Sequence, residues 1–177
     1  SSSLKYVTIS QKTELPKNTI KESIFELSEL LLLFEVKEKQ TDRLKKYYFK
    51  DPFVIHSINA YNSNLDPFME SINFILNETT KGQLVENVVA GHLHNIYANN
   101  LKYLFKDNKE VDFIIANKAI EVKYRASIIA PNKIAGDLEY LLLTRLAVSS
   151  VDIEKDKTLA IPASAFLAML EQPISFL

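Results

Sequence analysis

Glu110-Val111-Asp112-Phe113-Ile114-Ile115-Ala116, a break at Asn117-Lys118, and Ala119-Ile120-Glu121-Val122-Lys123-Tyr124 form the stretch that decides the fold. Both arms alternate in polarity, and two residues separate them, which is the pattern of an antiparallel hairpin. A two-residue loop at Asn117-Lys118 sets Ala116 opposite Ala119, Ile114 opposite Glu121, Asp112 opposite Lys123 and Glu110 opposite Arg125. Opposed residues share a face. One face is then Val111, Phe113, Ile115, Ile120, Val122 and Tyr124, all apolar or aromatic. The other gathers Asp112, Glu121 and Lys123 beside Ile114 and two alanines. A slip of one residue would carry charge into the apolar face, so the pattern itself selects this pairing.

Two carboxylates with a lysine beside them suit a magnesium- or manganese-dependent phosphodiesterase. Asp112 and Glu121 offer oxygen ligands to a hard cation. A metal of this kind lowers the pKa of bound water, and the Lys123 ammonium can orient that water or neutralise charge on phosphorus. The competing reading is a plain cross-strand ion pair between Asp112 and Lys123. The triplet alone does not decide, because Glu-x-Lys recurs at Glu35-Val36-Lys37 with no partner acid. A third acid comes from upstream. Thr80-Lys81-Gly82-Gln83 reads as a capping box opening a helix to Tyr97. Leu84, Val85, Val88, Val89, Leu93 and Ile96 mark its apolar face, with Glu86 on the margin.

Further out, residues 1–50 read as a winged-helix-like segment. Ile20, Ile24, Leu27 and Leu31 recur at helical spacing behind Pro16. Leu32 to Val36 and Tyr47 to Phe49 read as short strands joined by the charged stretch Lys37 to Lys46. Lys17 and Lys21 lie early on the candidate recognition helix, where they would meet DNA; the competing reading is a generic helix plus hairpin with solvated charges. These fifty residues carry 10 positive and 7 negative side chains. Residues 51–79 form a helical connector: Asp51-Pro52 and Asp66-Pro67 each set a capping carboxylate before a first-turn proline. Residues 80–177 make the main α/β domain, a mixed sheet flanked by helices. Tyr140 to Thr144 reads as a strand buried on both faces, Leu159 to Ile161 as another, and Ala163 to Met169 as a closing helix. Between them, Pro131 and Gly136 disfavour a long helix over Arg125 to Leu138.

Composition narrows the chemistry. The chain has 177 residues, 47% of them hydrophobic and 24% charged, enough to bury a core. Lys and Arg number 21 against 22 Asp and Glu, so nucleic-acid contact must come from a local patch. There is no Cys, which removes disulfides, thiol nucleophiles and Cys-ligated zinc. The three glycines fit neither a P-loop nor a dinucleotide fingerprint. His92 and His94 point apart on a helix and His56 is isolated, so the sequence supports no histidine-based zinc site. The longest apolar run, Leu30 to Phe34, is far short of the ~20 residues of a membrane span, and no signal-peptide pattern precedes it. A cytoplasmic location without membrane association is the expectation.

Glu86 in Gly82-Gln83-Leu84-Val85-Glu86-Asn87, then Glu110-Val111-Asp112-Phe113, then Ile120-Glu121-Val122-Lys123 resemble the motifs of the PD-(D/E)XK nuclease superfamily. More narrowly, the order resembles the nuclease-like domain C-terminal to the P-loop module of prokaryotic AAA-type ATPases. Lys46-Tyr47-Tyr48-Phe49-Lys50-Asp51 resembles the junction from the winged helix, and Thr144-Arg145, Ile161-Pro162 and Phe166-Leu167 fit the same pattern. The resemblance implies a restriction-endonuclease-like fold and an ATPase module in the same full-length chain. It implies Asp112 and Glu121 as metal ligands, Lys123 as water-positioning base or charge stabiliser, and Glu86 as accessory acid. Three functions compete: metal-dependent DNA cleavage, a catalytically inactive regulatory or interaction module, and a winged-helix DNA binder scaffolded by the rest.

Overall fold

The computed structural model describes residues 6–41, 44–125, 134, 137–146 and 158–170. The front of the chain forms α1 (Tyr6–Thr13), α2 (Lys17–Glu29), β1 (Leu33–Glu38) and β2 (Lys45–Phe49). Three helices follow, α3 (Phe53–Ser63), α4 (Pro67–Leu76) and α5 (Glu78–Tyr97). Then come β3 (Lys102–Lys106), β4 (Lys109–Ile115), β5 (Lys118–Lys123), β6 (Glu139–Thr144), β7 (Thr158–Pro162) and α6 (Ala163–Leu170). The fold is α/β. One mixed sheet of seven strands runs in the order β2-β1-β3-β4-β5-β6-β7, flanked by helices.

The helix, strand, charged loop and strand expected near the front are present as α2, β1 and β2. Their hairpin is not free-standing, because β1 pairs parallel with β3 through Lys37↔Lys102 and Glu38↔Tyr103. β1 and β2 therefore extend the same sheet that holds the elements after residue 80. The strands also run into the expected loop: Lys37, Glu38, Lys45 and Lys46 are all paired.

β3, β4 and β5 form an antiparallel meander, while β5, β6 and β7 run parallel. The turn between β3 and β4 falls at Asp107-Asn108, both at positive φ, where Asp and Asn are tolerated. The next turn differs from expectation. Ile115 pairs with Lys118, so the loop is Ala116-Asn117, one residue earlier than the sequence suggested. Ala116 takes φ 51°, a position that Gly normally fills in a tight hairpin. The strand pairing thus shifts by two places, which preserves the expected faces of β5.

Ile134 and Leu138 back one face of the sheet, on a cluster of Leu104, Val111, Ile114, Ala119 and Tyr140. The other face packs on α5 and α6, where Val89, Ala90, Leu93 and Phe166 meet Phe113, Ile115, Ile120 and Leu143. Val111 was expected beside Phe113 and Ile115, and it lies on the opposite face. The cause is a bulge: Lys102 pairs with Ile114 but Leu104 with Val111, so Tyr103 alone faces both Asp112 and Phe113. As expected, β6 is buried on both faces, with Tyr140, Leu142 and Leu143 in the core. The expectation for Arg125 to Leu138, including Pro131 and Gly136, falls mostly outside the described residues.

Asp66 caps α4 through the backbone N–H groups of Phe68 and Met69. The cap of α5 is Asn77, which accepts from Thr79 and Thr80, so this helix starts before the expected capping box at Thr80. Asn87, on its first half, is buried and clasps the end of β2. Its Oδ1 accepts the Phe49 N–H at 2.9 Å and its Nδ2 donates to the Phe49 carbonyl at 2.8 Å. Asn87→Ala leaves both backbone groups unpaired at a sheet edge and should cost about 1–3 kcal/mol. Urea denaturation measures this directly. No helix among the described residues is long and apolar enough to cross a membrane.

Candidate active site

Alternation on β2 points Lys46 and Tyr48 inward, opposite Val36 and Phe34 of β1. Lys46 is only 1% exposed. A buried ammonium demands counter-charge, and the surrounding elements provide it. Its Nζ lies 2.7 Å from Glu110 Oε1, 3.4 Å from Glu86 Oε1 and 3.6 Å from Asp112 Oδ1, and 5.4 Å over the Tyr103 ring. Tyr48 donates its hydroxyl to the same Glu86 oxygen at 2.9 Å. Glu86 is therefore buried in the α5–sheet interface, not held at its margin as the helical pattern suggested. Ile96, expected on the apolar face, is half exposed instead.

The bulge aims Asp112 at two partners. Oδ1 turns to Lys46, while Oδ2 accepts the Val122 N–H at 2.8 Å. The β4–β5 ladder is paired as far as Phe113↔Ile120. Just past that pair a carboxylate, not a carbonyl, receives the Val122 N–H of β5. On either side of Val122 stand Glu121, fully buried, and Lys123, whose Nζ is 3.0 Å from Glu121 Oε2. The sequence reading set Asp112 against Lys123; the ion pair found is Lys123 with Glu121. Asp112 still feels the Lys123 charge.

Burial, and then the Glu86 charge, raise the pKa of Asp112, against the opposing pull of Lys46, the Val122 N–H and Lys123. Glu110 is raised by burial too, with Lys46 opposing. For Lys46, burial alone would lower the pKa. Tyr48, Glu86, Asp112 and Glu110 together outweigh it and hold the ammonium well above the ordinary lysine value. Three acids, Glu86, Glu110 and Asp112, thus gather around the buried Lys46 ammonium.

The site thus brings together Glu86, Asp112, Glu121 and Lys123 from the sequence reading, with Asp112 as the link. It does not include Lys17 and Lys21. Both are exposed on α2, and Lys21 lies 5.9 Å over the Tyr6 ring. Sequence reasoning missed Lys46, Tyr48 and the role of Glu110. The signal was present, since Lys46 and Tyr48 alternate in phase on a strand whose partner carries Phe34 and Val36.

A divalent ion suits this donor set. All the candidate ligands are carboxylate oxygens, the ligand type that Mg²⁺ and Mn²⁺ take. Among the described residues no three acids or histidines are arranged to hold a metal by themselves. Mg²⁺ does not require that, because it is commonly held by one or two carboxylates, with water and substrate phosphate completing the shell. Asp112 and Glu121 are the pair that would hold it. Comparison with protein-family models, with curated proteins and with solved structures finds no match to this chain, so the site is read from its own geometry.

Proposed function

We propose that this chain is a metal-dependent nuclease-like domain that hydrolyses phosphodiester bonds in DNA, on a restriction-endonuclease-like arrangement of its sheet. In the full-length protein it works beside an ATPase module. The observation that carries the reading is Asp112: a buried carboxylate on a bulge, anchored to β5 between Glu121 and Lys123. Mg²⁺ or Mn²⁺ held by Asp112 and Glu121 would supply an activated water and charge neutralisation at phosphate. Lys123, partly exposed at the end of β5, orients that water or meets the developing negative charge. Glu86 acts through Lys46 and Tyr48, fixing the ammonium beside Asp112. Lys17 and Lys21, exposed on the winged-helix-like front, would hold DNA backbone, and their contribution would fall as salt rises.

One observation favours a second reading, a catalytically inactive nuclease-fold module that regulates the ATPase or binds a partner. Lys46 already serves as cation to three carboxylates at this centre. Cleavage of supercoiled plasmid and of a single-stranded oligonucleotide, with Mg²⁺, with Mn²⁺ and with EDTA, separates the two. Metal-dependent nicking that is lost in Asp112→Asn is the expected result. A wild-type protein that neither nicks DNA nor binds Mn²⁺ by calorimetry would establish the inactive reading.

A further inference from the structure

A second site lies on another side of α5, in a cleft of about 290 Å³ between that helix, β1 and the exit of β2. Lys50, His92, His94 and Asn95 line it, with Phe34 as a wall. No Asp or Glu is among its lining residues. Lys50 has no ion-pair partner among the described residues, and the nearby Asp51 carboxylate is turned to the Phe53 N–H at 2.9 Å. The side chains of His92 and Asn95 make no hydrogen bond among the described residues. Asn87 also borders the cleft, but its amide is committed to Phe49. Gly91 forms part of the lining, and nothing lies within 4 Å of a Cβ built on it, so this stretch of helix is open space.

Chemistry and size together define the occupant. A cleft with an uncompensated ammonium, two imidazoles, a carboxamide and no acid favours an oxyanion. Its volume sits at the small end of organic-ligand sites, well beyond what a bare ion needs. His94 packs on the buried Phe34 with ring centroids 4.4 Å apart and planes tilted by 34°, which fixes the half-buried imidazole as an aromatic wall of the cleft. We propose that this cleft binds a nucleoside phosphate, its phosphate on Lys50 with His92 and Asn95 and its base against the His94 ring. The unit can be a free mononucleotide or one nucleotide of a single strand, since both present the same groups. Burial, and then the Lys50 charge, keep the His94 pKa below its ordinary value, as expected of an imidazole facing a cation with no anion between them. This site needs no divalent ion and stands whether or not the acid centre is hydrolytic.

The test is calorimetry and imidazole NMR in EDTA, with dAMP, a short single-stranded oligonucleotide and inorganic phosphate as probes. Binding of dAMP with shifts in the His92 and His94 resonances is expected, and inorganic phosphate should bind more weakly. Lys50→Gln removes a charged hydrogen-bond partner and should weaken dAMP about tenfold or more. Gly91→Leu leaves every polar group in place, favours the helix and fills the cleft, so it should abolish binding. Competition between dAMP and the oligonucleotide identifies a strand as the source; an oligonucleotide that does not compete identifies a free nucleotide. Absence of dAMP binding to the wild-type protein would overturn the proposal. So would binding left intact by both Lys50→Gln and Gly91→Leu in variants whose melting temperatures match the wild type.

Discussion

Replacing Lys46 with methionine should cost about 3–5 kcal/mol of stability at neutral pH, the range found when one partner of a buried ion pair is removed. Methionine matches the length of the lysine stem, so little packing is lost. What remains is Glu86, Glu110 and Asp112 facing one another in a space the ammonium held together. The deficit should depend on pH in a defined direction. Asp112 and Glu110 already have folded-state pKa values above 3.8 and 4.5, chiefly through burial. The folded protein takes up their protons before the unfolded chain does, so the cost of burying them shrinks as pH falls through those raised values. Without Lys46 both rise further, and acidification should recover part of the loss. In the wild type the Lys46 ammonium stays charged below its ordinary value of 10.5 and is lost only as pH rises above it, because its folded-state pKa is raised; towards acid its contribution shrinks with the protonation of its partner carboxylates. Urea denaturation in EDTA at neutral and mildly acidic pH measures both effects. A neutral-pH loss under about 1 kcal/mol, the worth of an exposed pair, would show that the ammonium is not the counter-ion of this centre.

The part of this centre legible in sequence was the part written in β periodicity. Alternation over Glu110 to Tyr124 gave the strands and the faces of β5, because period-two patterning survives a shift of two places. It could not locate the turn. Asn117-Lys118 carries the polar residues of a loop, yet the chain turns at Ala116-Asn117 and accepts positive φ at an alanine. The bulge was hidden for a similar reason: Val111-Asp112-Phe113 alternates perfectly, and only pairing with β3 reveals that one residue there faces two. That bulge moves Val111 to the other face and lets Asp112 reach both Lys46 and Val122.

Lys46 escaped notice because composition argues against a buried lysine unless its partners are known. Those partners come from α5 and β4, separated from it by 40 residues or more. The charged run Lys37 to Lys46 looks solvated when read locally. Its two buried members, Glu38 and Lys46, become interior because β1 joins β3 and brings its hairpin under α5. The same long-range pairing explains why a segment with the outline of a separate winged helix shares a sheet with the rest. The start of α4 fared better, since Asp66 acts within a turn of the residues it caps.

Lys123→Met should reduce metal-dependent DNA cleavage about 10²–10⁴-fold, the range for loss of a positioned proton-transfer group. The argument starts from its position: Lys123 is the partly exposed cation at this end of β5, paired with a fully buried Glu121 and acting on Asp112 by charge. Its loss removes the group proposed to orient water or meet charge on phosphate, but leaves both carboxylates. Mn²⁺ affinity should therefore be retained or improved, because an internal competitor for Glu121 is gone. Stability supplies an independent readout. In EDTA, Lys123→Met leaves Glu121 buried beside an uncharged side chain and should melt lower than the wild type. Saturating Mn²⁺ should raise its melting temperature by more than it raises that of the wild type, since the ion replaces the missing charge. Lys123→Arg distinguishes the two roles: it keeps a permanent cation, so activity is partly restored if Lys123 stabilises charge and stays lost if it must release a proton. Cleavage unchanged in Lys123→Met would remove this lysine from the chemistry. Loss of Mn²⁺ binding together with cleavage would recast it as a group that shapes the metal site.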